Sequence, residues 1–181
     1  MAKAPTSYIQ TTGATRTRTV DGLYFPLLGR PQAMTVYVRF IEQGSTLFAS
    51  GASSLWHIGN AANNNALLQV YQSGGFYRVG YSNEVSSSAG ATLAVAPAIG
   101  DTVEILVTLS LAGVAIISQS INGGTATSAT ATALVLPPAW SDQRFYLNTA
   151  GNQSPGIAVF RDVFIVRGIH SLATMRTRAG Q

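Results

Sequence analysis

Apolar and polar residues alternate along most of the chain, and this pattern predicts β-strands. In MTVYVRFI, residues 34–41, every second residue from Met34 is apolar, while Thr35 and Arg39 lie between the apolar positions. The segment DTVEILVTLS, residues 101–110, repeats the pattern. No long run places apolar residues at the three- and four-residue spacing of a helix. The sequence therefore predicts an all-β protein whose strands have one buried face and one wetter face.

Turn residues separate the predicted strands at short intervals. ALLQVY and FYRVGYS flank QSGG, and NGG at residues 122–124 supplies residues that tolerate positive φ. The apolar stretch of residues 103–121 is interrupted by Glu104, Ser110 and Gly113, so it predicts a hairpin and no membrane span. We count eleven to thirteen short strands, which is typical of an antiparallel β-sandwich or barrel.

The strand pattern also divides the chain. Residues 1–17 are polar and rich in Thr, and we interpret them as an N-terminal arm. Residues 18–172 form one predicted domain with no linker inside it, consistent with the length of 181 residues. Residues 173–181 form a C-terminal tail, either a short helical turn or a second arm.

Charge is scarce and gathers at the ends. Only 10% of the residues are charged, against about a quarter in an ordinary soluble domain, and the net charge is +4. This density is too low to indicate a nucleic-acid partner, and it suits a protein packed against other subunits, because few charges must leave water. We predict assembly contacts at the basic residues of the two ends: Lys3, Arg16, Arg18, Arg176 and Arg178.

No catalytic or metal-binding constellation is visible in the sequence. The chain has seven carboxylates, and the closest candidates, Asp101 and Glu104, have an odd spacing that puts them on opposite faces of a strand. Of the two histidines, His57 is expected at a strand surface as a structural residue. There is no cysteine, and the polar loop of residues 60–65 lacks the negative charge of a tight calcium site. We predict no enzyme activity, no metal and no cofactor.

Aromatic side chains offer a second kind of chemistry, since exposed rings stack on sugars while amides complete the hydrogen bonds. Tyr77 and Tyr81 are separated by an even number of residues and are expected to share one face. We predict a carbohydrate-binding role first for Trp56, Tyr77, Tyr81 and Trp140, within a wider set that includes Tyr71 and Phe76.

Several segments resemble a known family in their order along the chain. MTVYVRF, the hairpin VEILVTLSLAGVAIISQSINGG, RFYLNTAGN and the closing GIAVFRDVFIVRGIHSL are similar to strands of the laminin-G-like, or concanavalin A-like, jelly roll. The resemblance covers roughly residues 20–172. It implies that Ala158, Phe160 and Ile165, or their neighbours, pack into the sandwich, and that Arg161 and Asp162 lie at an edge or a bulge.

A narrower resemblance concerns tailed bacteriophages. GRPQAMTVYVRFIEQG, ALLQVYQSGGFYRV and SLATMR are similar to small jelly-roll domains of phage virion proteins. This implies a non-enzymatic structural protein on the capsid or tail surface of a virion. Its expected partners are itself, in a homo-oligomer such as a trimer, and other virion proteins. The alternative is a lectin-like module that binds a glycan of the host surface.

Overall fold

Two antiparallel sheets stack face to face in the computed structural model. It describes residues 23–26, 33–43, 53–59, 66–82, 87–132, 134, 144–147, 154–155 and 158–181. The seven-stranded sheet has the order β1-β10-β3-β4-β5-β6, with β11 beside the start of β3. Its strands are β1 (Leu23–Pro26), β3 (Ser53–Gly59), β4 (Ala66–Ser73), β5 (Phe76–Ser82), β6 (Ser87–Thr92), β10 (Arg144–Leu147) and β11 (Ser154–Pro155).

The five-stranded sheet has the order β12-β2-β7-β8-β9. Its strands are β2 (Met34–Glu42), β7 (Thr102–Leu109), β8 (Ala115–Ile121), β9 (Thr127–Ala131) and β12 (Ala158–Arg167). One helix, α1 (Leu172–Arg178), follows β12. The prediction of an all-β antiparallel sandwich is confirmed.

The core lies between the sheets and follows the alternation of the sequence. Met34, Val36, Val38 and Phe40 point inward from β2, and β7 adds the apolar residues from Val103 to Leu109 at every second position. On the facing, seven-stranded sheet, the ring of Trp56 in β3 packs against that of Phe145 in β10, with 5.4 Å between the ring centroids. Each large side chain buried in this way contributes about 1.5–3 kcal/mol.

A β-bulge at Arg161 divides β12 into two halves. The pairing with β2 shifts between Phe160 and Asp162, so Arg161 is the extra residue. Ala158 and Phe160 pack on the core before the bulge, whereas Val163 and Ile165 do so after it. The predicted packing of this strand and the predicted bulge are both confirmed.

Helix α1 lies on the outer face of the five-stranded sheet. Ser171 caps it by accepting a hydrogen bond from the backbone N–H of Thr174. Met175 is fully buried against Tyr37 and Leu106, and Phe164, which the bulge directs outward, packs on the same cluster. Of the two alternatives for residues 173–181, the structure therefore has the helical turn. The predicted arm at residues 1–17 lies outside the described residues.

Candidate functional site

Two of the predicted sugar-binding rings are in the core. Trp56 is 0% exposed and Tyr77 is 3% exposed. The hydroxyl of Tyr77 donates to Oε2 of Glu42 over 2.5 Å, and its ring meets that of Phe40 edge-on. The prediction of sugar stacking by these two residues is therefore wrong, because neither ring presents a face to solvent. The side chain of Tyr81 and the whole of Trp140 lie outside the described residues.

The wider set of predicted aromatics includes two that lie on the outer face of the seven-stranded sheet. Tyr77 and Val79 of β5 point into the core, so the intervening Arg78 and Gly80 face outward. The register pairs Arg78 with Tyr71 of β4, and Gly80 with Gln69. Tyr71, Phe76 and Arg78 are each half-buried. We call Gln69, Tyr71, Phe76, Arg78 and Gly80 the outer patch.

Gly80 allows two of these side chains to lie close to the sheet. A Cβ atom at this position would come within 3.1 Å of Cε1 of Tyr71 and 3.3 Å of Nε2 of Gln69. The edge of the Tyr71 ring therefore lies within close contact of the position that the Cβ atom of any other residue at position 80 would occupy. The cross-strand partner of Gly80 in β6 is Gly90, which also lacks a side chain. The result is a low surface beside a half-exposed aromatic ring and an amide.

Arg78 supplies the positive charge of the outer patch. No described residue accepts a hydrogen bond from its Nε, which is shielded from solvent. The residue paired with it on β6, Thr92, is exposed. The guanidinium is therefore half-buried on this face and has an Nε–H without a described acceptor.

On β3 and β10, the outer face of the same sheet carries side chains that are buried. His57 and Tyr146 pair in register there, and their rings stack 4.6 Å apart at an angle of 9°. Both residues are buried. The expectation that His57 lies at a strand surface is wrong, because the stacked pair is covered.

The opposite outer face, on the five-stranded sheet, contains the strongest polar network and is covered by α1. Glu104 is 2% exposed; Oε1 of its carboxylate accepts hydrogen bonds from the Tyr37 hydroxyl over 2.8 Å and from Nε of Arg176 over 3.0 Å. Arg176 also donates through Nη2 to Ser120 over 2.7 Å. Burial alone would raise the pKa of the Glu104 carboxyl, but the hydrogen bonds from Arg176 and Tyr37 outweigh it and lower that pKa. Burial, followed by the hydrogen bond to Glu104, raises the pKa of Tyr37, which stays a proton donor.

This network changes the interpretation of the C-terminal arginines. Arg176, predicted as an assembly contact, is bound within the chain by Glu104 and Ser120, so that prediction conflicts with its position. Arg178 is exposed and stays a candidate. Lys3, Arg16 and Arg18 lie outside the described residues.

The carboxylates and histidines in the described ranges do not form a metal-binding group. Asp101 accepts hydrogen bonds from the Asn122 amide over 2.7 Å and the Ala98 N–H over 2.8 Å, which fixes two loops. Across residues 23–181, with the gaps given above, no three His, Asp or Glu side chains are placed to hold a metal ion. Helix α1, the helix of this part, is too short to cross a membrane. The polar loop of residues 60–65 lies outside the described ranges.

Comparisons with known proteins place the fold. No family model and no curated protein matches the sequence. A native heptameric SAP-like pentraxin from Limulus polyphemus has a TM-score of 0.56 and 12% identity, over 82% of this chain and 70% of that one. Sheep galectin-11, in complex with glycerol, has a TM-score of 0.51 and 10% identity, over 82% of this chain and 100% of that one.

A third solved structure is the binding domain of botulinum neurotoxin DC in complex with SialylT. It has a TM-score of 0.55 and 11% identity, over 82% of this chain and 35% of that one. Likeness at these identities concerns the fold alone. The chain is a jelly-roll β-sandwich of the concanavalin A-like type, as its sequence resemblance implied.

Signals for the outer patch in the amino-acid sequence are weak. Arg78 lies between Tyr77 and Val79, so alternation predicts that its side chain points to the opposite face of the strand. Alternation alone does not say which of the two faces is buried. The partners of Arg78 and Gly80 depend on the register with β4, which is a property of the folded sheet. In the sequence, Gly80 is a glycine inside a predicted strand, which indicates that another group approaches the backbone closely at this position. The sequence does not identify that group.

Proposed function

We propose that the protein is a non-catalytic glycan-binding module and that the outer patch is its binding surface. The observation that carries this proposal is the seating of the Tyr71 ring over Gly80, with the Gln69 amide beside it. A ring held low on a sheet offers a surface on which the C–H groups of a sugar can pack. The amide and the guanidinium of Arg78 then fix the hydroxyl groups by hydrogen bonds.

The fold supports the proposal at a coarser level. A galectin and a toxin binding domain solved with SialylT share the jelly-roll architecture with this chain. The present site is nevertheless argued from the side chains of this chain, since the sequence identities are 10% and 11%.

A glycan array, followed by calorimetry on the best ligands, tests the proposal. We expect the wild-type protein to bind a defined set of glycans and Tyr71→Ala to weaken binding about tenfold, since removal of a stacking ring costs on the order of 1 kcal/mol or more. Ile116→Ala is the matched control, because it removes an exposed apolar side chain from the other sheet. Absence of binding by the wild-type protein, or unchanged binding by Tyr71→Ala, would refute the proposal.

A second candidate function is structural, and the edges of the five-stranded sheet favour it. Within the described residues, β9 and β12 each pair on one side only, and Val159 on β12 is 46% exposed. Unpaired edges are templates for pairing with another chain. Together with the low charge density and the sequence resemblance, they support a structural protein at the capsid or tail surface of a bacteriophage virion, assembled as a homo-oligomer such as a trimer.

The structural candidate is tested by light scattering and by mixing with stripped particles. A stable homo-oligomer that rebinds particles at fixed stoichiometry supports it, and a monomer that ignores particles rejects it. The contribution of the predicted arm is tested separately by deleting residues 1–17. This variant should keep a folded sandwich, judged by circular dichroism, and lose particle binding if the arm makes the contact.

A further inference from the structure

Arg78 is a cation without an anionic partner among the described residues. It lies in the middle of the outer patch, opposite Tyr71 on one side and Thr92 on the other. Its Nε is shielded from solvent and has no described acceptor. A shielded N–H that lacks an acceptor has a cost in free energy, which an added acceptor removes.

The described carboxylates are all engaged elsewhere. Glu42 is buried between the sheets and accepts from Tyr77, while Glu104 binds Arg176 under helix α1. Asp162 accepts from Arg39 on the five-stranded sheet over 3.4 Å, and Asp101 binds Asn122 at the loop end. None of these four lies on the outer face that carries Arg78. The positive charge of this face is thus uncompensated within the described part of the chain.

We propose, building on glycan binding at the outer patch, that the preferred ligand carries an acidic group, and that Arg78 receives it. A guanidinium matches the planar carboxylate or the sulfate of an acidic sugar with two parallel hydrogen bonds. Tyr71 and Phe76 flank the charge and pack the sugar ring next to the acidic group. Gly80 and Gly90 leave the neighbouring surface low enough for the ligand to approach the sheet.

Matched pairs of glycans test this proposal. Lactose is compared with 3′-sialyllactose, which adds a carboxylate, and with 3′-sulfolactose, which adds a sulfate; the same pairing is repeated for each neutral glycan that the array identifies. We expect the acidic member to bind about tenfold more tightly, since hydrogen bonds to charged groups are roughly twice as strong as neutral ones. This preference should fall as salt is raised, because the outer patch is partly solvated.

Variants of Arg78 separate the acidic preference from glycan binding itself. Arg78→Gln keeps much of the aliphatic stem and should bring acidic and neutral members to equal affinity, whereas Arg78→Lys should retain part of the preference. Arg178→Gln removes the same charge from an exposed site on α1 and should leave the preference intact. Circular dichroism and thermal unfolding confirm that each variant is folded.

The outcomes distinguish the two proposals. Equal affinity of the wild-type protein for acidic and neutral glycans would overturn the acidic preference and leave glycan binding in place. A preference that survives in Arg78→Gln would also overturn it, whatever the result for Arg178→Gln. Failure of every glycan to bind would overturn both proposals. A sialylated ligand that binds while its sulfated counterpart does not would assign the site to a carboxylate.

Discussion

Glu104 is a buried carboxylate held in its charged form by a small set of donors. Tyr37 comes from β2, Arg176 comes from α1, and both reach across the outer face of the five-stranded sheet. Ser120 receives the remaining Nη2 hydrogen bond of Arg176. Since burial of an unpaired carboxylate is costly, the charge of Glu104 is stable only while the helix is docked.

The lowered pKa of Glu104 predicts an acid-sensitive contribution to stability. The ordinary value is 4.5, and the folded value lies below it. The unfolded chain therefore takes up the proton first as the pH falls, so the contribution is full above about pH 6 and is lost as the pH drops through the folded pKa. Glu104→Gln should be less stable by about 1–3 kcal/mol near neutral pH, and the difference should shrink below about pH 4.

Urea unfolding of wild type and Glu104→Gln at several pH values measures this difference. Asp162→Asn is a suitable control, because its carboxylate is more exposed and makes a longer contact with Arg39. A difference that stays constant across the acidic range would show that the charge of Glu104 is not its source.

Gly113 is required by two independent constraints. Its φ is +72°, and a Cβ atom there would lie 2.1 Å from the carbonyl oxygen of Leu134. Gly123 has a similar φ of +75° but open space around it. We expect Gly123→Ala to cost about 1 kcal/mol for the left-handed conformation. Gly113→Ala should cost more than about 3 kcal/mol, because backbone must also move.

Thermal unfolding of the two alanine variants makes the comparison directly. The pair shares the backbone conformation and differs in the surroundings. Equal losses of stability would mean that the chain at Leu134 moves aside without cost, which would contradict the predicted role of close approach.

At the scale of elements, the bulge in β12 allows side chains of one strand to pack in two apolar clusters, the core and the cluster that contains Met175 of α1. Before Arg161, Ala158 and Phe160 point into the core; after it, Phe164 and Val166 point outward to α1 while Val163 and Ile165 face the core. One extra residue changes the parity of the side chains. The outward half of β12 then provides a seat for the helix.

Deleting Arg161 should be tolerated, because it removes only the extra residue of the bulge. Arg161→Ala removes an exposed side chain and should change stability by less than about 0.5 kcal/mol. In the deletion variant Asp162 follows Phe160 directly and still pairs with Arg39, so the alternation is regular and Val163 still faces the core. We therefore expect the deletion variant to fold and to show a cooperative unfolding transition. An unfolded or insoluble deletion variant would contradict the prediction and show that the bulge itself is required.

Helix α1 depends on its docked face, since a seven-residue helix is marginal in isolation. Met175→Ala should destabilise the docked state by about 2–5 kcal/mol, as is usual for removing a buried methionine. Thr177→Ala, at an exposed position of the same helix, should stay within about 0.5 kcal/mol. Hydrogen exchange distinguishes the mechanism: amides of α1 should lose protection in Met175→Ala while amides of β7 retain it.

At the scale of the whole molecule, alternation in the sequence was sufficient for the architecture and insufficient for the site. Alternation such as that of Met34 to Phe40 predicted a sandwich or barrel, and the family resemblance implied the sandwich and an edge or bulge at Arg161 and Asp162. In β5, however, both faces carry side chains that are suited to binding a ligand: Tyr77 on one face and Arg78 on the other. Only pairing with β4 and packing against the five-stranded sheet decide which of the two is buried.

Other errors have the same origin in contacts between distant residues. Trp56 lies just after a register irregularity in β3, so alternation does not predict its direction. The seat of α1 combines Tyr37, Leu106 and Phe164 from three strands, and the short segment LATMRTR carries no sign of it. The fold follows from local pattern, whereas each functional face follows from register and tertiary contact.

The docking of α1 also determines where Gln181 lies relative to the outer patch. The side chain of Gln181 donates to the Tyr37 hydroxyl over 3.2 Å, so Gln181 lies on the outer face of the five-stranded sheet. The outer patch lies on the opposite side of the sandwich. A solid support attached to the protein at Gln181 would therefore lie on the side away from the outer patch, with Tyr71 and Arg78 turned toward the surrounding solution.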